Sequence, residues 1–462
     1  MAFLTASGKK TTARDMTQGS IVKQLLLFAL PLMLGNVFQM MYNTVDSIVV
    51  GNYVGKQALA AVGSTTMIVN MMVFFFNGFS TGAGVVISHD YGARNMERLH
   101  KSIETTMALT FLFSIFFTIA GVLAVDLLLN FMSTPEDVFR EASTYLTIYI
   151  GGISGLLVYN MGSGILRAVG DTTRPLYFLV LTSLVNIVLD LFFVIKLKMG
   201  IAGVAFATII AQFISAILIM MLLCRSKDIY RFTWRDLRID PEITKQIFVV
   251  ALPAGIQSVI TAFSNVFVQS YINFFGSSAM AGWSCFNKLD QFIMLPMQSM
   301  AMASTTFVSQ NFGAQKEKRA DRGTLVSILL TFGVTSVIVI LLYIFAASAV
   351  RLFTPDESVI RYGVLFIYAN TGFFLCNCVN HVLAGALRGR GDARGPMVIM
   401  ITCFVLVRQT YLYLVTHYVA NTPLTVCLAY PVGWATCCIA EVVYFFCQRK
   451  KRQEMLRTRE TE

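Results

Sequence analysis

Four acidic residues interrupt stretches that are otherwise apolar: Asp46, Asp190, Asp290 and Glu441. A charge at the centre of a lipid bilayer costs about 2.5–3.5 kcal/mol on insertion scales, so an ionisable group there has a task or a partner. Asn186 and Asp190 are four residues apart and share one face of a helix. With Asp46 and Thr208 they form an all-oxygen set of two carboxylates, an amide and a hydroxyl. Hard cations take oxygen ligands. Two carboxylates at one site do not both stay charged without an ion between them, so a proton can replace a metal cation there. The chemistry is therefore binding of Na⁺, at Asp46, Asn186 and Asp190, or of H⁺. The competing reading is structural: each acid satisfies a helix–helix hydrogen bond, and Thr208 bonds its own helix backbone.

The second half carries Lys288, Asp290, Arg408 and Glu441 inside apolar stretches. Lys288 and Asp290 are two apart and do not face each other on a helix. Arg408 calls for an acidic partner, which Asp290 or Glu441 would supply as a structural ion pair. The alternative is that Asp290 lines a cavity and attracts cationic cargo. Gln39, Asn43, Asp290 and Lys288 are the candidates for lining a substrate cavity, and Pro31 is the candidate hinge. His89 and His100 read as residues of a polar loop, and His381 and His417 as hydrogen-bonded structural histidines. The nine cysteines lack C-x-x-C spacing and read as small apolar residues.

These residues must be positioned by membrane helices. The chain has 462 residues, of which 56% are apolar and 13% charged, against about 25% charged in water-soluble domains. Mean hydropathy is +0.67. A soluble multidomain enzyme is excluded on these grounds. Twelve apolar segments follow at 24–50, 58–87, 102–131, 142–165, 175–195, 201–224, 246–272, 279–309, 324–350, 359–387, 396–418 and 423–447. Each is long enough for a hydrocarbon core about 30 Å thick. With the N-terminus inside, 28 of the 36 Lys and Arg residues fall in inside segments and six outside, with Lys288 and Arg408 within spans. Loop charge sets orientation in this way, so both termini are expected in the cytoplasm. The net charge of +11 is then topological and requires no nucleic acid.

The chain also repeats itself at an offset of about 221 residues. Ala29-Leu30-Pro31 returns as Ala251-Leu252-Pro253, and Tyr91-Gly92-Ala93 as Phe312-Gly313-Ala314. Thr134-Pro135 returns as Thr354-Pro355. Leu166-Arg167, Gly170-Asp171 and Pro175 return as Leu387-Arg388, Gly391-Asp392 and Pro396. Six spans per half return the chain to the same side, so the halves are expected to be related by a pseudo-twofold along the membrane normal. The expected organisation is an N-lobe over 1–224, a cytoplasmic linker over 225–245, and a C-lobe over 246–462 ending in a basic tail. Asp240-Pro241-Glu242 reads as a cap followed by proline in a first helical turn. The fold class is all-α, a membrane protein of twelve helices in two six-helix bundles.

The run from Pro31 to Gly51 with Tyr42-Asn43-Thr44-Val45-Asp46, the loop Tyr91-Gly92-Ala93-Arg94-Asn95, and the turn Gly170-Asp171 to Pro175 resemble the multidrug and toxic compound extrusion (MATE) family. The resemblance covers essentially the whole chain. It implies a V-shaped rocker-switch antiporter that exports chemically varied, often cationic, small molecules against inward Na⁺ or H⁺. It further implies residence in the bacterial cytoplasmic membrane, as a monomer. Asp46, Asn186, Asp190 and Thr208 match the N-lobe cation site of the branch resembling its DNA-damage-inducible members. The norfloxacin-exporter branch carries C-lobe acids that are missing here: Thr261 stands at one such position, and span 359–387 has no acid in its apolar body.

Other classes are disfavoured by what the sequence lacks. Gly8-Lys9-Lys10 has neither the upstream glycine nor the Ser/Thr of a phosphate-binding loop. No H-E-x-x-H or G-x-S-x-G motif of a membrane enzyme is present, so neither catalysis nor an organic cofactor is expected. A lipid-linked precursor flippase of related fold would carry more internal Arg and Lys for a pyrophosphate.

Overall fold

The computed structural model describes residues 13–132 and 134–461. Gly8, Lys9 and Lys10 lie outside them. Every regular element among the described residues is helical. A helix pairs its own N–H and C=O groups, which lipid cannot do for it.

The chain divides into two compact units. The first is built on Leu26–Leu252, with residues up to Gln18 and Gly313–Gln315; the second on Pro253–Phe312 and Lys316–Glu462, with Gly19–Leu25. The helices of the first are α1 (Ile21–Val49), α2 (Lys56–Gly92), α3 (Met96–Phe131), α4 (Glu136–Gly151), α5 (Ile153–Ala168), α6 (Thr173–Leu191) and α7 (Gly200–Arg225). Helix α8 (Pro241–Asn273) begins in the first unit and passes into the second at Pro253. There follow α9 (Ser277–Gly313), α10 (Glu317–Ile344), α11 (Ala346–Arg351), α12 (Glu357–Thr371), α13 (Phe374–Gly389), α14 (Arg394–Ile401), α15 (Arg408–Tyr418), α16 (Pro423–Cys427) and α17 (Ala429–Thr461).

Among the described residues nine helices are long and apolar enough to cross a membrane, and eleven spans result when two bent pairs are counted as one each. The expected fourth span is the pair α4–α5, bent by 46°, and the tenth is α12–α13, bent by 55°. The breaks fall at Gly151-Gly152 and Gly372-Phe373, one repeat apart. The remaining expected span is α9, which at 37 residues is long enough but carries Asn287, Lys288, Asp290 and Gln291.

The repeat is written into the backbone. Positive φ occurs at Gly55, Arg94 and Gly170, and again 221 residues on at Gly276, Gln315 and Gly391. Gly170 has a second reason to lack a side chain, since a Cβ there would lie 2.6 Å from the Arg14 carbonyl oxygen. Residues 225–245 do not run as a free linker. Tyr230 and Phe232 are buried in an apolar cluster with Leu99, Ile103 and Ile219 of the first unit. Asp240 Oδ1 accepts the N–H groups of Glu242 (2.9 Å) and Ile243 (3.1 Å), capping α8 with Pro241 in its first turn. His89 and His100 sit on α2 and α3, not in a loop.

Glycines bring the helices of the first unit close. At Gly162 a Cβ would lie 2.8 Å from Ile219, and at Gly155 3.0 Å from the Phe213 backbone nitrogen. Small residues of this kind let membrane helices approach, gaining dispersion contacts where lipid supplies no hydrophobic drive. The α5–α7 contact is one of those that hold α7 within the unit, beside its packing on α6 and α4. Gly155→Val is therefore expected to cost about 1–3 kcal/mol by overpacking against backbone that cannot yield. It should lower the unfolding temperature of the detergent-solubilised protein, whereas Gly63→Ala, with nothing within 4 Å of its Cβ, should not.

Candidate functional site

One face of α6 presents Thr182, Asn186 and Asp190 at four-residue spacing, and they are 4%, 2% and 0% exposed. Ser215 Oγ of α7 lies 2.8 Å from Thr182 Oγ1, tying the two helices one turn before Asn186. Asp46 comes from α1, partly buried, and its carboxyl is within hydrogen-bonding reach of that of Asp190. No donor serves Asp46 Oδ1 or either oxygen of Asp190, and both polar atoms of the Asn186 amide are unpartnered. An unmade hydrogen bond on a buried polar atom costs about 1–3 kcal/mol. Five such atoms in one turn's length hold no helices together. Two carboxyls this close, with no ion pair to either among the described residues, require a shared proton or a cation between them. The sequence-predicted set is thus brought together for Asp46, Asn186 and Asp190. Thr208 is buried on α7, and its hydroxyl donates to the Val204 carbonyl of its own helix at 3.0 Å. Only its lone pairs remain to receive a cation.

Three tyrosines missed in the sequence complete the surroundings. Tyr42 of α1 and Tyr145 and Tyr149 of α4 all lie within electrostatic reach of Asp46, and Tyr145 also of Asp190. Tyr145 and Tyr149 stack at 6.0 Å, and Gln212 of α7 donates to the Tyr149 hydroxyl at 3.4 Å. Their four-residue spacing was the available signal. A further feature is the backbone itself. A π turn at Val50–Val54 follows Asp46, and another at Phe192–Lys196 follows Asp190. Such wider turns recur at functional sites in helices.

The other candidates are distributed as follows. Gln39 is exposed and within hydrogen-bonding reach of Tyr42; Asn43 is exposed, and its backbone carbonyl accepts from Ser47 Oγ at 3.0 Å. Pro31 lies inside α1, which continues through it. In the second unit Lys288 is exposed with Nζ 5.3 Å from the Phe353 ring centroid, while Asp290 is partly buried with Oδ1 unpartnered. Arg408 corrects the expectation of an acidic partner. Its Nη2 donates to Ser264 Oγ at 2.6 Å, and its guanidinium sits 5.0 Å from the Tyr430 ring centroid, with no acid in direct contact among the described residues. The planar, weakly hydrated guanidinium tolerates that site because a hydroxyl and a π face supply its contacts.

The repeated turns do carry turn chemistry. Asp171 Oδ1 accepts the N–H groups of Thr173 (3.1 Å) and Arg174 (3.2 Å), and Asp392 Oδ1 that of Gly395 (3.0 Å). Arg174 also donates to the Tyr230 hydroxyl at 2.5 Å, and burial pushes that phenol up.

Long apolar helices, built twice from one pattern and holding an oxygen-lined acid pair inside one unit, define a membrane transporter. The chain belongs to the MatE family, whose profile matches residues 31–192 and again 253–414. It is 26% identical over 454 residues to the probable multidrug resistance protein YoeA of Bacillus subtilis (strain 168), covering 97% of this chain and 98% of that one. It is 29% identical over 404 residues to the probable multidrug resistance protein YpnP of the same organism, covering 86% and 89%. In structure it is similar to a MATE crystallised in the bent conformation, with a TM-score of 0.90, 24% identity, and coverage of 97% and 99%, a likeness of fold.

The geometry predicts an unusual mutational response at Asp190. Since no structural hydrogen bond is lost, Asp190→Asn should leave stability unchanged or raise it by about 1–2 kcal/mol, by removing a buried acid. Thermal unfolding in detergent reads this. A loss of several kcal/mol would restore the structural reading of the acid.

Proposed function

We propose that the chain is a cation-coupled antiporter that exports small molecules, and that Asp46, Asn186 and Asp190 form its coupling site. The observation that carries this reading is the pair of carboxyls in mutual reach, with three of their four oxygens unserved inside a helical unit. The coupling ion is Na⁺ or H⁺. Thr208 contributes at most an acceptor oxygen. The relatives' names as multidrug resistance proteins support varied small-molecule cargo over a lipid-linked precursor. Gln39, Asn43, Lys288 and Asp290 are the proposed substrate contacts.

In this mechanism the ion enters from outside and neutralises the acid pair. Neutralisation removes the repulsion between the two carboxyls that α1 and α6 hold in mutual reach. α1 repacks near Pro31, which lacks the N–H its helix would offer the carbonyl four residues back. Differential binding of ion and cargo to the two resulting states is the coupling. One charge moving through about 100 mV contributes about 2.3 kcal/mol, enough for roughly fiftyfold accumulation of cargo. The lobes are 1–224 and 246–462, joined by 225–245, in a cytoplasmic membrane with both termini inside. The protein acts as a monomer.

The test is efflux by the full chain in proteoliposomes under separate Na⁺ and H⁺ gradients. Asp46→Asn should reduce gradient-driven efflux at least about tenfold, by removing one of the site's two carboxylates, a change worth more than about 1.4 kcal/mol. It should leave binding of cargo without a gradient largely intact. Full gradient-driven efflux in the variant would sink the assignment.

A further inference from the structure

The second unit contains a charged cluster with no part in the coupling site. Glu441 on α17 is 0% exposed, and neither of its carboxyl oxygens has a hydrogen-bond partner. Arg388, in the last turn of α13, is within electrostatic reach of it but makes no direct ion pair with it. The Arg388 Nε is itself buried without an acceptor. About two turns back along α13, Asn380 donates Nδ2 to the Trp434 carbonyl of α17 at 3.1 Å. The Oδ1 atoms of Asn377 and Asn380 are unpartnered. The seam between α13 and α17 therefore holds three unserved acceptor oxygens, both of Glu441 and Oδ1 of Asn380, against one unserved donor, Arg388 Nε.

A bare carboxylate in such a seam lacks the hydrogen bonds that would stabilise its charge, and a counter-charge at a distance offsets only part of that cost. Adding a proton converts one oxygen of Glu441 from acceptor to donor, and donors are the scarcer group there. A metal cation would meet the fixed positive charge of Arg388. We propose that Glu441 is an exchangeable proton site within the second unit, separate from the Asp46–Asp190 pair, with Arg388 as its counter-charge. The other titratable groups around it are few. His381 of α13 lies within reach of Arg388, Cys403 approaches from the π turn Thr402–Val407, and Cys437, Cys438 and Tyr444 belong to its own helix. Tyr444 donates to Asp392 at 2.7 Å, Arg408 of α15 is engaged with Ser264, and Cys427 of α16 with Asn370. The proposal concerns protonation alone and stands whether or not the first-unit acids couple transport.

The experiment is pH-difference infrared spectroscopy on the purified full-length protein, following the C=O stretch of protonated carboxyls. The expected result is a buried-carboxyl band that bleaches as pH rises. It should persist in the Asp46→Asn, Asp190→Asn double variant and be lost in Glu441→Gln. Arg388→Gln should move its titration to higher pH by about one unit, because the counter-charge that favours the ionised form is gone. Glu441→Asp keeps the acid and should shift the band's frequency, which serves if the Gln variant does not purify as a single species. A band unchanged in the Glu441 variants, or one lost only in the double variant, overturns the proposal.

Discussion

A carboxyl group packed among apolar helices must find a proton, a cation or a counter-charge, and the interior of this protein is arranged around that requirement. Asp46 and Asp190 lie within reach of each other, with three of their four oxygens unserved. Glu441 meets the requirement in part through Arg388, which stands off from direct contact. Arg408 shows the opposite case, a buried cation held by a hydroxyl and an aromatic face. A permanent guanidinium can be retained that way because it cannot discharge itself. A carboxyl can, and that is what makes it useful where a proton or a cation has to come and go.

The exchange requires a stiff frame. Gly152 just before α5, with Gly155 and Gly162 inside it, brings α7 against it closely enough that added carbon would meet Ile209, backbone of Phe213, or Ile219. The Thr182–Ser215 contact then sets α6 against α7. Against this frame the two acid-bearing helices each widen into a π turn just beyond the acid. A π turn carries an extra residue in its hydrogen-bonding loop, so it is the part of a helix where register is least firmly held. Rigid packing on one side of the acid pair and loosened backbone on the other is a coherent arrangement for a site that changes its occupancy.

The two halves share backbone far more closely than side chains. The same bends, the same positive-φ turns and the same capping aspartates recur one repeat apart. At the repeat positions of the acid pair, however, the second half has Val268 and Leu412, both fully buried, and Arg408 in place of Asn186. Backbone geometry is constrained by the bilayer on both sides equally. The interior polar groups are free to diverge, so each unit carries its buried acids in a different place. Glu441 falls on Ile219 or Met220 in the first half, at an offset of 222 or 221, so no acid stands at its counterpart.

By itself the sequence determined the class of fold, the duplication and the core of the candidate site. Length and polarity of apolar runs report directly on a bilayer, and Asn186 and Asp190 are local partners along one helix. It also marked Asp240 as a cap, since capping is decided within one turn. What it left open involves contacts between helices distant in the chain. The pairing of Asp46 with Asp190, the ring of Tyr42, Tyr145 and Tyr149, the bends at Gly152 and Gly372, and the burial of Tyr230 and Phe232 against α3 and α7 all depend on packing. Arg408 was assigned an acid because charge balance can be counted in a sequence. Only tertiary structure decided that Ser264 and Tyr430 would surround it, because which side chains reach a buried charge is set by helix rotation and approach, and neither is encoded within a single helix.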